Sequence, residues 1–104
     1  MKNILIMMLV YFIVGSASWY DYELDNGWSS KGHYVCATRD FERYTIVKVI
    51  NLDNGKSVRC KVTDYGPDQQ LFPNRIVDLS STAFKRISNL KKGIIRVKVI
   101  QYKE

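Results

Sequence analysis

The chain reads as a small all-β barrel carrying one short α-helix, and three observations predict it. Two β-branched runs, Thr45 to Asn51 and Ser57 to Thr63, flank Asp53-Asn54-Gly55. Asn-Gly tolerates positive φ at both central turn positions, so this is a strong hairpin signal. The second run alternates, with Val58, Cys60 and Val62 on one face and Arg59, Lys61 and Thr63 on the other, the period of a half-buried strand. A further run, Ile94 to Tyr102, alternates through Ile95, Val97 and Val99 with Arg96 and Lys98 opposite. One helical stripe interrupts these strands: Leu79, Ala83, Phe84, Ile87 and Leu90. Ser80 or Ser81 can cap its start, Lys91 and Lys92 suit its negative end, and Gly93 stops it. The spacing predicts a helix over 81–90. Many short strands with one short helix point to a small closed barrel.

The remaining segments are less regular. Glycines, serines and scattered aromatics between residues 21 and 44 read as loops around a short strand near Tyr34 to Ala37. With 104 residues the chain has room for one domain. Its 46% hydrophobic and 12% aromatic content excludes a disordered tail.

The N-terminus differs in composition. Lys2 is the only charged side chain before Asp21, and Ile4 to Val14 is an unbroken apolar run followed by Gly15, Ser16, Ala17 and Ser18. A basic start, an apolar middle and a small-residue exit describe a secretory signal peptide over residues 1–17, cleaved after Ala17. The domain proper would then occupy 18–104, with 1–17 outside the barrel. A buried first element or an uncleaved anchor are the other readings of the same run. Export in turn favours a disulfide between the two cysteines, Cys36 and Cys60, against two buried free thiols. One His and two Cys are too few for a structural zinc site, and no metal is expected.

The formal net charge is +6. The basic residues are spread along the chain, several at alternating strand positions: Lys48, Arg59, Lys61, Arg96 and Lys98. Most read as a solvated sheet face. In an exported protein the charge also favours an anionic wall polymer or membrane surface over nucleic acid. Thr63-Asp64-Tyr65-Gly66-Pro67 is the segment with most chemistry in it. A strand delivers Asp64 and the chain breaks at Gly-Pro, which places a carboxyl at a barrel rim. Partial desolvation there would fit it to donate a proton, whereas an Asp that only caps the turn would not.

Four blocks together resemble the rare lipoprotein A family of double-psi β-barrels, a barrel shared with expansins. They are Ala17-Ser18-Trp19-Tyr20, Asn51-Leu52-Asp53-Asn54-Gly55-Lys56-Ser57-Val58, Asp64-Tyr65-Gly66-Pro67, and Arg75-Ile76-Val77-Asp78-Leu79-Ser80 leading into Ala83. The resemblance runs from about Ala17 to Tyr102 and implies a six-stranded double-psi barrel. It implies cleavage of peptidoglycan glycan strands without water, with no cofactor, by a monomer in the periplasm, cell wall or medium. A protonated carboxyl would protonate the glycosidic oxygen while the sugar's own hydroxyl closes on the anomeric carbon. Asp64 falls on the family's catalytic Asp, and Trp19, Tyr20, Tyr65, Arg75 and Asp78 fall beside the implied glycan groove. Arg75 and Asp78 also read as a structural ion pair at the helix start.

The chain departs from the family pattern twice. Trp28 stands in place of a Glu after the first strand, and Thr38 stands where a His belongs, with His33 five residues earlier. Glu23 and Asp25 are the nearby carboxyls that could substitute. A non-catalytic wall-binding barrel, or an interaction barrel of the protease-inhibitor or plant-defence kind, fits the same fold. A membrane enters these readings only through an uncleaved N-terminal segment.

Overall fold

The computed structural model describes residues 9–21 and 34–103. Six strands close into a barrel: β1 Leu9–Tyr20, β2 Val35–Ala37, β3 Ile46–Asn51, β4 Ser57–Asp64, β5 Arg75–Ser80 and β6 Ile95–Lys103. Around the barrel the order is β1-β5-β2-β4-β3-β6. The pairs β1–β5 and β2–β4 are parallel, and the other four are antiparallel. One helix, α1 (Ser81–Ile87), and a 3-10 turn (Leu90–Lys92) lie between β5 and β6. Among the described residues, the expected all-β barrel of six strands with one short helix is what forms.

The hairpin forms where Asn-Gly places it. Val49 pairs with Val58 and Val47 with Cys60, and Gly55 takes φ +76° in the turn. Side chains tie this turn to the helix. Asn51, 3% exposed, donates its amide N–H to the Ile87 carbonyl at 2.8 Å, and Asn54 donates to the same carbonyl at 2.9 Å. They satisfy a helix-end acceptor that would otherwise be orphaned. At the other end Ser80 caps α1 by accepting from the Ala83 backbone N–H. The helix buries Ala83, Phe84 and Ile87 against a core that includes Val47, Val49, Val62, Val77, Leu79, Val97 and Val99.

Two elements differ from expectation. Arg75–Ser80, read in the sequence only as the entry to the helix, is a strand of its own. Its alternation is hidden because Ile76, Val77, Leu79 and Ser80 are all buried, and a strand covered on both faces loses its period-2 signature. The second difference is β1. Far from lying outside the barrel, residues 9–17 pair along β6 from Leu9↔Lys103 to Ala17↔Ile95. Ala17 is fully buried, and Ser16 donates its backbone N–H to Asn74 O at 2.9 Å. The small residues that suggest a cleavage site have a packing reason here. A Cβ on Gly15 would sit 2.7 Å from Ile76 Cγ2 and 2.9 Å from Asn74 O. A cut after Ala17 would leave β1 only Ser18-Trp19-Tyr20. Residues 1–8 lie outside the described residues.

Cys36 and Cys60 are both buried with their thiols free, and the expected pair comes together near, but not at, disulfide distance. Cys60 donates its S–H to Cys36 Sγ at 3.0 Å. Cys36 is in register with Val62, two residues beyond Cys60. The Cys60 hydrogen bond, and then burial, push the Cys36 thiol pKa well above its usual value.

Candidate active site

A row of four residues crosses four neighbouring strands. Ser18 pairs with Asp78, Asp78 with Ala37, and Ala37 with Asp64. Residues directly opposite in a ladder share a face. The inward face carries Ala17, Val77, Leu79, Cys36 and Val62, all in the core, so the row lies on the outer surface. Asp64 reaches that surface through a register shift. Val62 is opposite Cys36, yet Asp64, not Thr63, is opposite Ala37. Continued alternation from Val58, Cys60 and Val62 would aim Asp64 inward; one extra residue turns it outward.

The two carboxyls have different settings. Asp78 is half-buried and accepts a short hydrogen bond from the Ser18 hydroxyl. Ser18 is itself 8% exposed. Asp64 is 56% exposed and pairs with Arg43 at 3.4 Å; it also accepts from the Tyr65 backbone N–H at 2.8 Å. The rim expectation of a desolvated Asp64 is therefore not met in the free protein. Arg43 lies 4.7 Å over the Tyr65 ring, so guanidinium, carboxyl and aromatic form one cluster. From the register, Asp64 and Asp78 are two strand spacings apart, roughly 10 Å between Cα atoms.

The floor between them is fixed from below. Thr38 is fully buried. It donates its hydroxyl to Ile76 O at 3.0 Å and its backbone N–H to Asp64 O at 3.1 Å. Arg39 donates to the carbonyls of Pro67 and Arg75, holding the Gly66-Pro67 turn against β5. Gly66 adopts φ +148°, a conformation that other residues rarely take, while a Cβ there would meet nothing nearer than Ala37 Cβ at 4.0 Å.

The other expected groove residues divide. Tyr65 is exposed at the row's end. Tyr20 is half-buried, beside Ser80 in register. Trp19 is in register with core residue Leu79, donates its indole N–H to Leu90 O at 3.0 Å and packs on the core. Arg75 and Asp78 do not form the ion pair that was one reading: Arg75 stacks over Phe72 at 4.2 Å. Tyr22, Glu23, Asp25, Trp28 and His33 lie outside the described residues. Sequence reasoning missed Arg43 and Ser18 as partners of the carboxyls, and Tyr44, whose ring lies 5.8 Å from Lys61 Nζ. Tyr44 holds φ +71° at 69% exposure, a left-handed conformation uncommon for a non-glycine residue. No His/Cys/Asp/Glu cluster able to hold a metal occurs among the described residues.

This barrel, with a carboxyl row on its outer face, matches known proteins. Residues 13–99 match the family model described as lytic transglycolase. The chain belongs to that family, as a double-psi barrel of the RlpA type. It is 36% identical over 95 residues to the endolytic peptidoglycan transglycosylase RlpA of Pseudomonas aeruginosa, covering 86% of this chain and 27% of that protein. It is 35% identical over 92 residues to the protein of the same name from Helicobacter pylori, covering 83% and 28%. The chain thus spans less than a third of the length of these two relatives. Among solved structures, Streptomyces papain inhibitor superposes with a TM-score of 0.62 at 19% identity, covering 90% of this chain and 96% of that one. A Clavibacter michiganensis expansin mutant in complex with cellohexaose gives the same TM-score at 16% identity, covering 90% and 51%. Those two share the fold.

Proposed function

We propose that the chain is an exported, cell-envelope domain that holds a peptidoglycan glycan strand along the row Ser18–Asp78–Ala37–Asp64 and cleaves it without water. The observation that carries this reading is the row itself: two carboxyls on one outer face, either side of a small residue that leaves room for a sugar. Asp64 is the acid/base. Bound glycan displaces water and the Arg43 guanidinium from it, and its carboxyl protonates the glycosidic oxygen as the bond to the anomeric carbon breaks. The same carboxylate then takes the proton of the sugar hydroxyl that closes on that carbon. Asp78, held in one orientation by Ser18, stabilises the positive charge that develops on the ring. Tyr65 and Tyr20 offer aromatic faces to the sugars, and Arg75 lies at the β5 end of the groove.

A second reading has its own support. Thr38, at the position of the family His, is buried and engaged with Ile76, so it has no access to substrate; the barrel then binds wall glycan without cutting it. Turnover of purified glycan strands and retention on insoluble peptidoglycan separate the two. Cleavage by the parent, abolished in Asp64→Asn with retention preserved, is the expected result. Cleavage surviving in Asp64→Asn but lost in Asp78→Asn would transfer the acid role to Asp78. Retention without any turnover would establish the binding barrel.

Export is part of the same proposal, with an N-terminus that leaves β1 whole. N-terminal sequencing of the secreted chain should find Gly15 and Ala17 still present. A mature chain beginning at Ser18 would refute that.

A further inference from the structure

The barrel's opposite side has a different character. Strands β3 and β6 lie across the barrel from β5 and β2, which carry Asp78 and Ala37. The outward positions of this side follow from the register. Lys61 is beside Ile46 and Arg59 beside Lys48. Lys48 is beside Ile100 and Ile50 beside Lys98. Phe12 is beside Ile100, Val14 beside Lys98 and Ser16 beside Arg96. Ser57, next to Ile50, completes the set.

Five of these side chains are cationic and none is acidic among the described residues. Between them stand exposed apolar groups: Phe12 at 50%, Val14 at 55% and Ile46 at 56%. Lys98 Nζ lies 4.2 Å over the Phe12 ring. Ile46, Lys48, Arg59 and Ile100 border a shallow depression of about 170 Å³, with an apolar base and two cations on its rim.

A solvated sheet face would normally mix both signs of charge and leave few large apolar groups in water. A soluble polyanion would satisfy the cations and leave Phe12, Val14 and Ile46 exposed. The headgroup layer of an anionic bilayer satisfies both sets. Phosphates meet the cations, and the apolar tips sink to the acyl boundary while the lysine stems extend along them.

We propose that the outer face of β3, β4 and β6, with the exposed side of β1, docks on an anionic phospholipid bilayer. Docked this way, Asp78 on β5 and Ala37 on β2 face away from the lipid. The inference stands apart from the glycan reading and would hold for a purely binding barrel.

The test uses the full chain and vesicles of phosphatidylcholine alone or mixed with phosphatidylglycerol, read by co-sedimentation. The neutral vesicles measure any binding by the N-terminal apolar run itself. The parent should prefer the anionic vesicles, and Lys48→Glu/Arg59→Glu/Lys61→Glu should weaken that binding by about 100-fold or more, from roughly fivefold per lost basic contact. Phe12→Ser/Val14→Ser should weaken it at high salt, where charge is screened. Retention of both variants on insoluble peptidoglycan, and a native circular dichroism spectrum, would show that the barrel is intact and that the glycan face is unaffected. Equal binding of parent and charge-reversed variant to anionic vesicles would overturn the proposal. So would binding to a soluble polyphosphate as tight as to anionic vesicles with no effect of the Phe12 and Val14 changes, which would make the face a polyanion site.

Discussion

Gly15→Val tests whether Leu9–Ala17 is a working strand of the folded protein. Gly15 is in register with Val97 on β6, and its α-carbon faces the start of β5. A Cβ there would lie 2.7 Å from Ile76 Cγ2 and 2.9 Å from Asn74 O. The Ile76 side chain can yield, because it is the far end of a rotatable group. The Asn74 carbonyl is backbone and must retreat by about 0.5 Å to reach ordinary contact. That carbonyl also accepts the 2.9 Å hydrogen bond from Ser16 N–H, so the retreat lengthens a bond that pins β1 to β5. Overpacking costs about 1–3 kcal/mol, and the weakened hydrogen bond adds roughly 1 kcal/mol. Together they give about 2–4 kcal/mol, a large share of a small domain's stability. At roughly 4–8 °C per kcal/mol for a domain this size, thermal unfolding followed by circular dichroism should show Tm lower by about 10–25 °C. Gly55→Ala is the control: nothing lies within 4 Å of its added Cβ, so only its positive φ is strained, and the loss should be about 1 kcal/mol. A Gly15→Val protein that melts with the parent would refute the placement of β1 and restore the signal-peptide boundary after Ala17.

Two further outcomes follow from the core. Asn51→Ala removes the buried amide that holds the Ile87 carbonyl and the Asp53 backbone N–H; urea unfolding should show a loss of about 2 kcal/mol, and a loss below about 0.5 kcal/mol would mean that Asn54 alone suffices. The raised Cys36 pKa sets a pH dependence for the reduced protein. The folded state keeps a proton that the unfolded thiol releases, so stability is full below the unfolded value of about 8.5 and declines as pH climbs above it. Melting between pH 7 and 10 should show that decline in the parent and a smaller one in Cys36→Ser, and identical profiles would contradict it.

The strands that were legible in the sequence are those with one wet face. β3, β4 and β6 alternate because one side meets the core and the other meets water, and Asn54-Gly55 fixed the register between the first two. The helix was legible from its cap, stripe and stop, although it ends at Ile87 and yields to a 3-10 turn at Leu90–Lys92. The candidate site was legible in part. Asp64, Asp78, Tyr20 and Tyr65 were named from motif blocks. The hydroxyl that holds Asp78 and the guanidinium that holds Asp64 were not, because Ser18 and Arg43 lie 60 and 21 residues from their partners and no local pattern connects them.

Composition and periodicity were enough to determine an all-β barrel with one hairpin, one helix and a basic surface, since burial of a periodic face is a local constraint written into neighbouring residues. The tertiary structure decided the rest. Gly15 and Ala17 are small for packing or for cleavage with equal economy in the sequence, and only the approach of Asn74 and Ile76 distinguishes the two. Cys36 and Cys60 share an inward face, and only the pairing of β2 with β4 brings their sulfurs to 3.0 Å. Asp64 would point inward by parity, and a single shifted residue opposite Ala37 turns it to the surface beside Asp78. Each of these depends on which strand lies alongside which and in what register, a non-local choice made by the closed barrel as a whole.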